Sequence, residues 1–228
     1  MMPSPPVSCA PAPQVTESKA QSPAPPSREI DALLDAAHRL GRAGMFPATG
    51  GNLSLRAPDG RIYVSASGRD KGRLTADDLL AVTPAGSPVD PSAPCPSAET
   101  AVHLAIYRCL PTAHAVIHTH TVAATVLGRR ASGQILLQGY EMQKAITGVT
   151  DHADALALPV LANTQDMAAL AAAVEAVLAR GVPGAGVLVA GHGLYAWGAD
   201  VASAARHAEG WEFLLRCRLT EALLEAGA

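Results

Sequence analysis

The chain has 228 residues, of which 49% are apolar and 16% charged, and its net charge is −3. That length holds one large domain with a full core or two small ones, and the composition excludes a disordered or coiled-coil chain. The near-neutral charge, with no long basic run, argues against a nucleic-acid surface, and no apolar stretch reaches the ~18–20 residues of a membrane span.

Residues 1–27, MMPSPPVSCAPAPQVTESKAQSPAPPS, are built largely from Pro, Ser and Ala. They bury too little apolar surface to offset ordering entropy and are expected to form a disordered tail without a catalytic role. The tail has no basic n-region and no continuous apolar core, so it does not read as a secretory signal. Cys9, Cys95, Cys109 and Cys217 form no CxxC pair and suggest reduced thiols in a cytoplasmic protein.

Order is expected from about residue 28 to 226, as one domain. Ser27 is a candidate N-cap for REIDALLDAAHRLGRAG, in which Ile30, Leu33, Leu34, Ala37 and Leu40 make an apolar helical face. NLSLR and RIYVSAS, joined at Pro58-Asp59-Gly60, read as a β-hairpin. Thr75 with Asp78 resembles a capping box opening a short helix, TADDLL, before a strand at Ala81–Thr83. After the loop PVDPSAPCPS, Ser97 is a candidate cap for the helix AETAVHLAIYRCL. The strand HAVIHTH follows, then a short helix VAATVLGRR, a strand QILLQG, a short helix EMQKAITG and an extended LALPVLANT. Thr164 is a candidate cap for QDMAALAAAVEAVLAR, whose alanine-rich stripe reads as core packing. GAGVLVAGHGLYAWG reads as two strands joined at GHG, and Asp200 as the cap of the last helix. Strands alternating with helices, several in hairpins, predict an α/β fold: a mixed central sheet in a three-layer α/β/α arrangement with helices on both faces.

Three of the eight histidines stand apart. His118 and His120 are two residues apart in a β-branched strand, so both leave one face. They either hold something or are polar groups at a strand end. His192 is flanked by glycines, which let a ligand or backbone approach closely. Two histidines at i, i+2 plus a distant third can make an open metal site, in which imidazole suits Zn, Fe, Ni or Cu, with zinc the default. Of the rest, His38 and His207 read as helix-surface residues. His103, His114 and His152 read as solvated or partnered side chains. The turns ATGGNLSLR and YVSASGRDKGR, with Asn52, Ser67 and Gly68 near Arg69 and Lys71, could cradle an anion, and Ser97 at a helix start could add to it. Taken alone, each is an ordinary turn. Glu141 alone reads as a solvated acid at a helix start that can pair with Lys144 one turn on.

In order, TGGNLSLR, the SGRDK turn, PSAET, HTHT and AGHG resemble the class II aldolase/adducin family over about residues 28–226. HTHTVAATVLGR, GYEMQKAITG, SGRDKGRL and LPVLANTQD are similar to the branch that dehydrates a methylthio-pentulose phosphate in methionine salvage. The resemblance implies the class II aldolase fold and a homotetramer with active sites near subunit interfaces. It implies one Zn²⁺ per subunit, held by His118, His120 and His192, and a phosphate site drawing on Gly51, Asn52, Ser67, Gly68 and Ser97. In related sugar-phosphate aldolases the glutamate matching Glu99 is the acid/base; in the dehydratase branch it is the one matching Glu141. Some dehydratases carry a cysteine near the Glu99 position, where this chain departs from them. The resemblance leaves three alternatives: a dehydratase, an aldolase or 4-epimerase on a pentulose- or fuculose-type phosphate, or a non-catalytic module like adducin. All three fit a small sugar-phosphate ligand or none, with neither a nucleic-acid nor a membrane partner.

Overall fold

The computed structural model describes residues 27–181 and 184–227. The tail expected over residues 1–27 falls outside this range except for Ser27, the first residue of α1 (Ser27–Arg42). In α1 the predicted stripe turns inward: Ile30, Leu33, Ala37 and Leu40 are all buried. Arg39 and Arg42 lie in its last turn, where the helix dipole favours cations.

The strands are β1 (Asn52–Arg56), β2 (Ile62–Ser65), β3 (Leu79–Val82), β4 (Ala115–Thr119), β5 (Gln134–Leu137), β6 (Leu156–Leu161), β7 (Gly186–Val189) and β8 (Gly193–Gly198). The other helices are α2 (Thr100–Cys109), α3 (Val122–Arg130), α4 (Met167–Leu178) and α5 (Val201–Gly227). The strands join in one sheet of order β3-β2-β1-β4-β8-β7-β6-β5. Every neighbouring pair is antiparallel except β6 with β7, so the sheet is mixed, as expected.

Strand alternation divides the core. Leu53, Leu55, Ile117, Leu194 and Ala196 pack on one face with α1, α3 and α5, around the fully buried Trp211. Val116, Val187, Val189, Tyr195 and Trp197 pack on the other with α2 and α4. Asn52, Ser54 and His118 alternate with the first set and so face the α2 side of the sheet. Both predicted hairpins are present, β1–β2 and β7–β8.

Several local expectations are corrected. TADDLL is not a helix. The Thr75/Asp78 capping box closes a single 3-10 turn, Ala76–Asp78. Leu79 and Leu80 then pair with Ser65 and Val64 of β2, because burying them in the sheet outweighs local propensity. EMQKA is likewise a 3-10 turn, Glu141–Ala145. The cap of α4 is Asp166, whose Oδ1 accepts from the N–H groups of Ala168 and Ala169 at 3.0 Å; Thr164 instead accepts from Asp166 N–H at 3.1 Å. Ser97 sits two residues ahead of the α2 N-cap, Glu99, and its Oγ accepts from the Glu99 N–H at 3.3 Å. Asp200 opens α5 as expected, accepting from Ser203 N–H at 2.6 Å. His207 is not a surface residue: it is 2% exposed, donates from Nδ1 to Trp197 O at 2.6 Å and accepts from Thr147 N–H at Nε2, 3.1 Å away.

Candidate metal centre and substrate cleft

His118 lies in the middle of the sheet, paired with Asn52 of β1 on one side and Tyr195 of β8 on the other. Its Nδ1 donates to the Leu194 carbonyl at 3.0 Å, which turns Nε2 outward as a lone-pair donor, and the Tyr195 ring stacks on it at 3.9 Å. His120 lies one residue past the end of β4, where its N–H bonds to Met45 O at 3.0 Å. His192 sits in the tight turn between β7 and β8, its N–H bonded to Val189 O at 3.1 Å. Gly193 makes this possible. A Cβ there would lie 2.1 Å from the Thr119 carbonyl and 3.0 Å from atoms of both the His118 and His120 rings. The glycine next to His192 in the GHG turn is therefore a requirement of close approach.

The three Nε2 atoms converge: His120 lies 2.8 Å and His192 3.3 Å from His118. Glu99, at the start of α2, completes the cluster, with Oε1 2.9 Å from His192 Nε2 and Oε2 3.3 Å from His118 Nε2. All four ligand atoms lie within 4.8 Å of one another, the only such group among the described residues. Burial lowers the pKa of His118 and of His120, keeping both imidazoles neutral and their lone pairs available. Burial opposes ionisation of Glu99, but the hydrogen bonds it takes from His192 and from Asn52 Nδ2–H (2.5 Å) outweigh it and hold the carboxyl well below the usual range. Three imidazoles and one carboxylate fit a divalent transition metal.

A cleft of about 320 Å³ opens beside the cluster. The five residues expected at a phosphate, Gly51, Asn52, Ser67, Gly68 and Ser97, all line it together with Glu99 and His192. Gln165 and Met167, at the start of α4, line it too, without any signal in the sequence pattern. Lys71 is its cation. Only 3% exposed, its ammonium donates to Thr49 O at 2.5 Å and Arg69 O at 2.9 Å, leaving one donor over, and burial lowers its pKa. Larger grooves of about 580 Å³ (along Arg56 and Arg108) and 740 Å³ (between Tyr140 and α5) hold no such cluster.

Glu141 is not in this cluster or cleft. It is exposed on its 3-10 turn and pairs with Lys144 at 2.7 Å and His152 at 3.6 Å. His103, by contrast, is fully buried, and its Nε2 lies 2.5 Å from Oδ1 of Asn52, the residue bonded to Glu99.

The family of the class II Aldolase and Adducin N-terminal domain matches residues 31–219. The methylthioribulose-1-phosphate dehydratase of Serratia proteamaculans (strain 568) is 50% identical over 201 residues, 88% of this chain and 98% of that protein. That of Yersinia enterocolitica is 49% identical over 199 residues, covering 87% and 94%. Among solved structures, the L-fuculose-1-phosphate aldolase of Thermus thermophilus superposes with a TM-score of 0.71 at 25% identity, covering 89% of this chain and 98% of that one. The chain belongs to the class II aldolase and adducin family.

Proposed function

We propose that the chain is a zinc-dependent dehydratase that converts 5-methylthioribulose 1-phosphate to 5-methylthio-2,3-dioxopentyl phosphate in methionine salvage, acting in the cytoplasm as a homotetramer. The observation that carries this is three converging imidazoles and a carboxylate beside a cleft that Glu99 and His192 line together with a buried lysine and glycine turns. Near 50% identity to dehydratases over almost their full length supports the substrate.

In this mechanism His118, His120 and His192 hold Zn²⁺, which, when bound, supplies Lewis acidity toward the substrate's C2 carbonyl and C3 hydroxyl. Lys71, Ser67, Ser97 and the N–H groups of the Gly51–Asn52 and Gly68 turns bind the phosphate and anchor C1. Glu99, ionised between Asn52 and His192, accepts a hydrogen bond from the C3 hydroxyl and fixes its orientation. Glu141 takes the C3 proton, and the C–H electron pair forms the C2–C3 enediolate. It then returns the proton to the C4 hydroxyl, which leaves as water, giving an enol that tautomerises to the diketone. Glu141 is exposed outside the cleft of its own chain; in the proposed homotetramer it serves the site of a neighbouring subunit. The test is an assay of zinc-loaded protein on this substrate with Glu141→Gln alongside. A diketo phosphate from the wild type and its loss in the variant are expected; C3–C4 cleavage contradicts the proposal.

The position of Glu99 inside the cluster favours a second reading, an aldolase or 4-epimerase in which Glu99 is the acid/base. Full turnover by Glu141→Gln together with an inactive Glu99→Gln selects it.

A further inference from the structure

On β1, Asn52 and Ser54 face α2 from alternate positions. On the α2 segment, Glu99, His103 and Tyr107 follow at four-residue spacing. The two periods interlock. Tyr107 Oη lies 2.8 Å from Ser54 Oγ, and Ser54 Oγ lies 2.6 Å from His103 Nδ1. His103 Nε2 lies 2.5 Å from Asn52 Oδ1, and Asn52 Nδ2 lies 2.5 Å from Glu99 Oε2. Asn52, Ser54, His103 and Tyr107 are each at most 4% exposed, so each polar atom must find its partner here.

We infer that His103 is a positioning residue for Glu99, acting through Asn52 as the middle link of a one-way hydrogen-bond chain. The direction follows from the acceptor at its end. The Glu99 carboxylate only accepts, so Asn52 presents Nδ2–H to it and turns Oδ1 toward His103. His103 must then carry its proton on Nε2, leaving Nδ1 to accept from Ser54, whose Oγ accepts from Tyr107. Burial lowers the His103 pKa to about 4, so the ring stays neutral and the chain keeps one direction. Without His103 the Asn52 amide loses the partner that fixes its orientation, and Glu99 Oε2 loses a fixed donor.

The kinetic test rests on the dehydratase proposed above; the spectroscopic test does not. In the full zinc-loaded chain with ¹⁵N-labelled histidine, NMR should find His103 as the Nε2–H tautomer. A proton on Nδ1 overturns the inference. His103→Leu should lower kcat about ten- to hundredfold with KM and zinc content unchanged. His103→Gln can donate to Asn52 while accepting from Ser54, and should keep most of kcat. Wild-type kcat in His103→Leu, or equal impairment of both variants, overturns the positioning role. If His103→Leu does not fold, the tautomer decides. If the wild type dehydrates nothing, the proposed function fails while the tautomer still decides this inference.

Discussion

Gly193→Ala links the packing of the sheet to the metal centre. Residue 193 has no left-handed backbone, so alanine meets no conformational penalty; the obstacle is space. The added Cβ would lie 2.1 Å from the Thr119 carbonyl, a backbone atom in the β4–β8 ladder, and 3.0 Å from His118 Cε1 and His120 Cδ2. Contact distances require a retreat of roughly 1 Å, which parts the two strands where both histidines are anchored. Overpacking of this kind costs about 1–3 kcal/mol, and with a rigid backbone atom as the obstacle the upper end is expected. Gly68→Ala is the control: Gly68 has φ +71° but open space around its Cβ position, so only the left-handed backbone cost of about 1–2 kcal/mol applies. Urea unfolding at fixed protein concentration, with zinc quantified per chain, separates the two. Gly193→Ala should lose both stability and metal, Gly68→Ala stability alone. A Gly193→Ala protein with the wild-type midpoint and a full zinc complement would show that close approach at the GHG turn does not shape the site.

His118→Ala and His120→Ala should each abolish activity and zinc binding while circular dichroism stays near that of the wild type; one zinc per chain in both variants would rule out this ligand set. Lys71→Met should weaken inhibition by inorganic phosphate at least tenfold, since it removes the buried charge of the cleft. His103, buried neutral with a pKa near 4 against 6.5 unfolded, makes stability fall with acid. Between pH 6.5 and 4 the unfolded chain binds a proton that the folded chain refuses, so urea midpoints should drop through that window, by up to about 3 kcal/mol from this group, and stay flat above it. Asp166→Ala should cost about 1 kcal/mol through loss of the α4 cap, read by the same unfolding assay.

What was legible in the sequence was chemistry tied to local backbone geometry. Period two aimed His118 and His120 together, the GHG turn announced a close approach, and the two glycine turns converged with Ser97 on one cleft. What was not legible depended on partners far along the chain. Leu79 and Leu80 became strand because β2 lies beside them. His207 sits on a helix with mixed faces, and only the carbonyl of Trp197 and the N–H of Thr147 explain its burial. His103 was recognisable as partnered, but the chain from Tyr107 to Glu99 needs β1 laid against α2. Gln165 and Met167 enter the cleft because α4 packs on α2, a contact no local spacing encodes. Glu141 was singled out by resemblance alone, and within one chain it stands apart from the histidines.

The decisive measurement is mass spectrometry of the products formed when the purified zinc-loaded protein meets 5-methylthioribulose 1-phosphate. One phosphorylated product lighter than the substrate by a single water, trapped as a 2,3-diketone, is the predicted result. A pair of fragments, dihydroxyacetone phosphate and methylthioacetaldehyde, would mean that the same cluster cleaves C3–C4 and that dehydration is not its reaction.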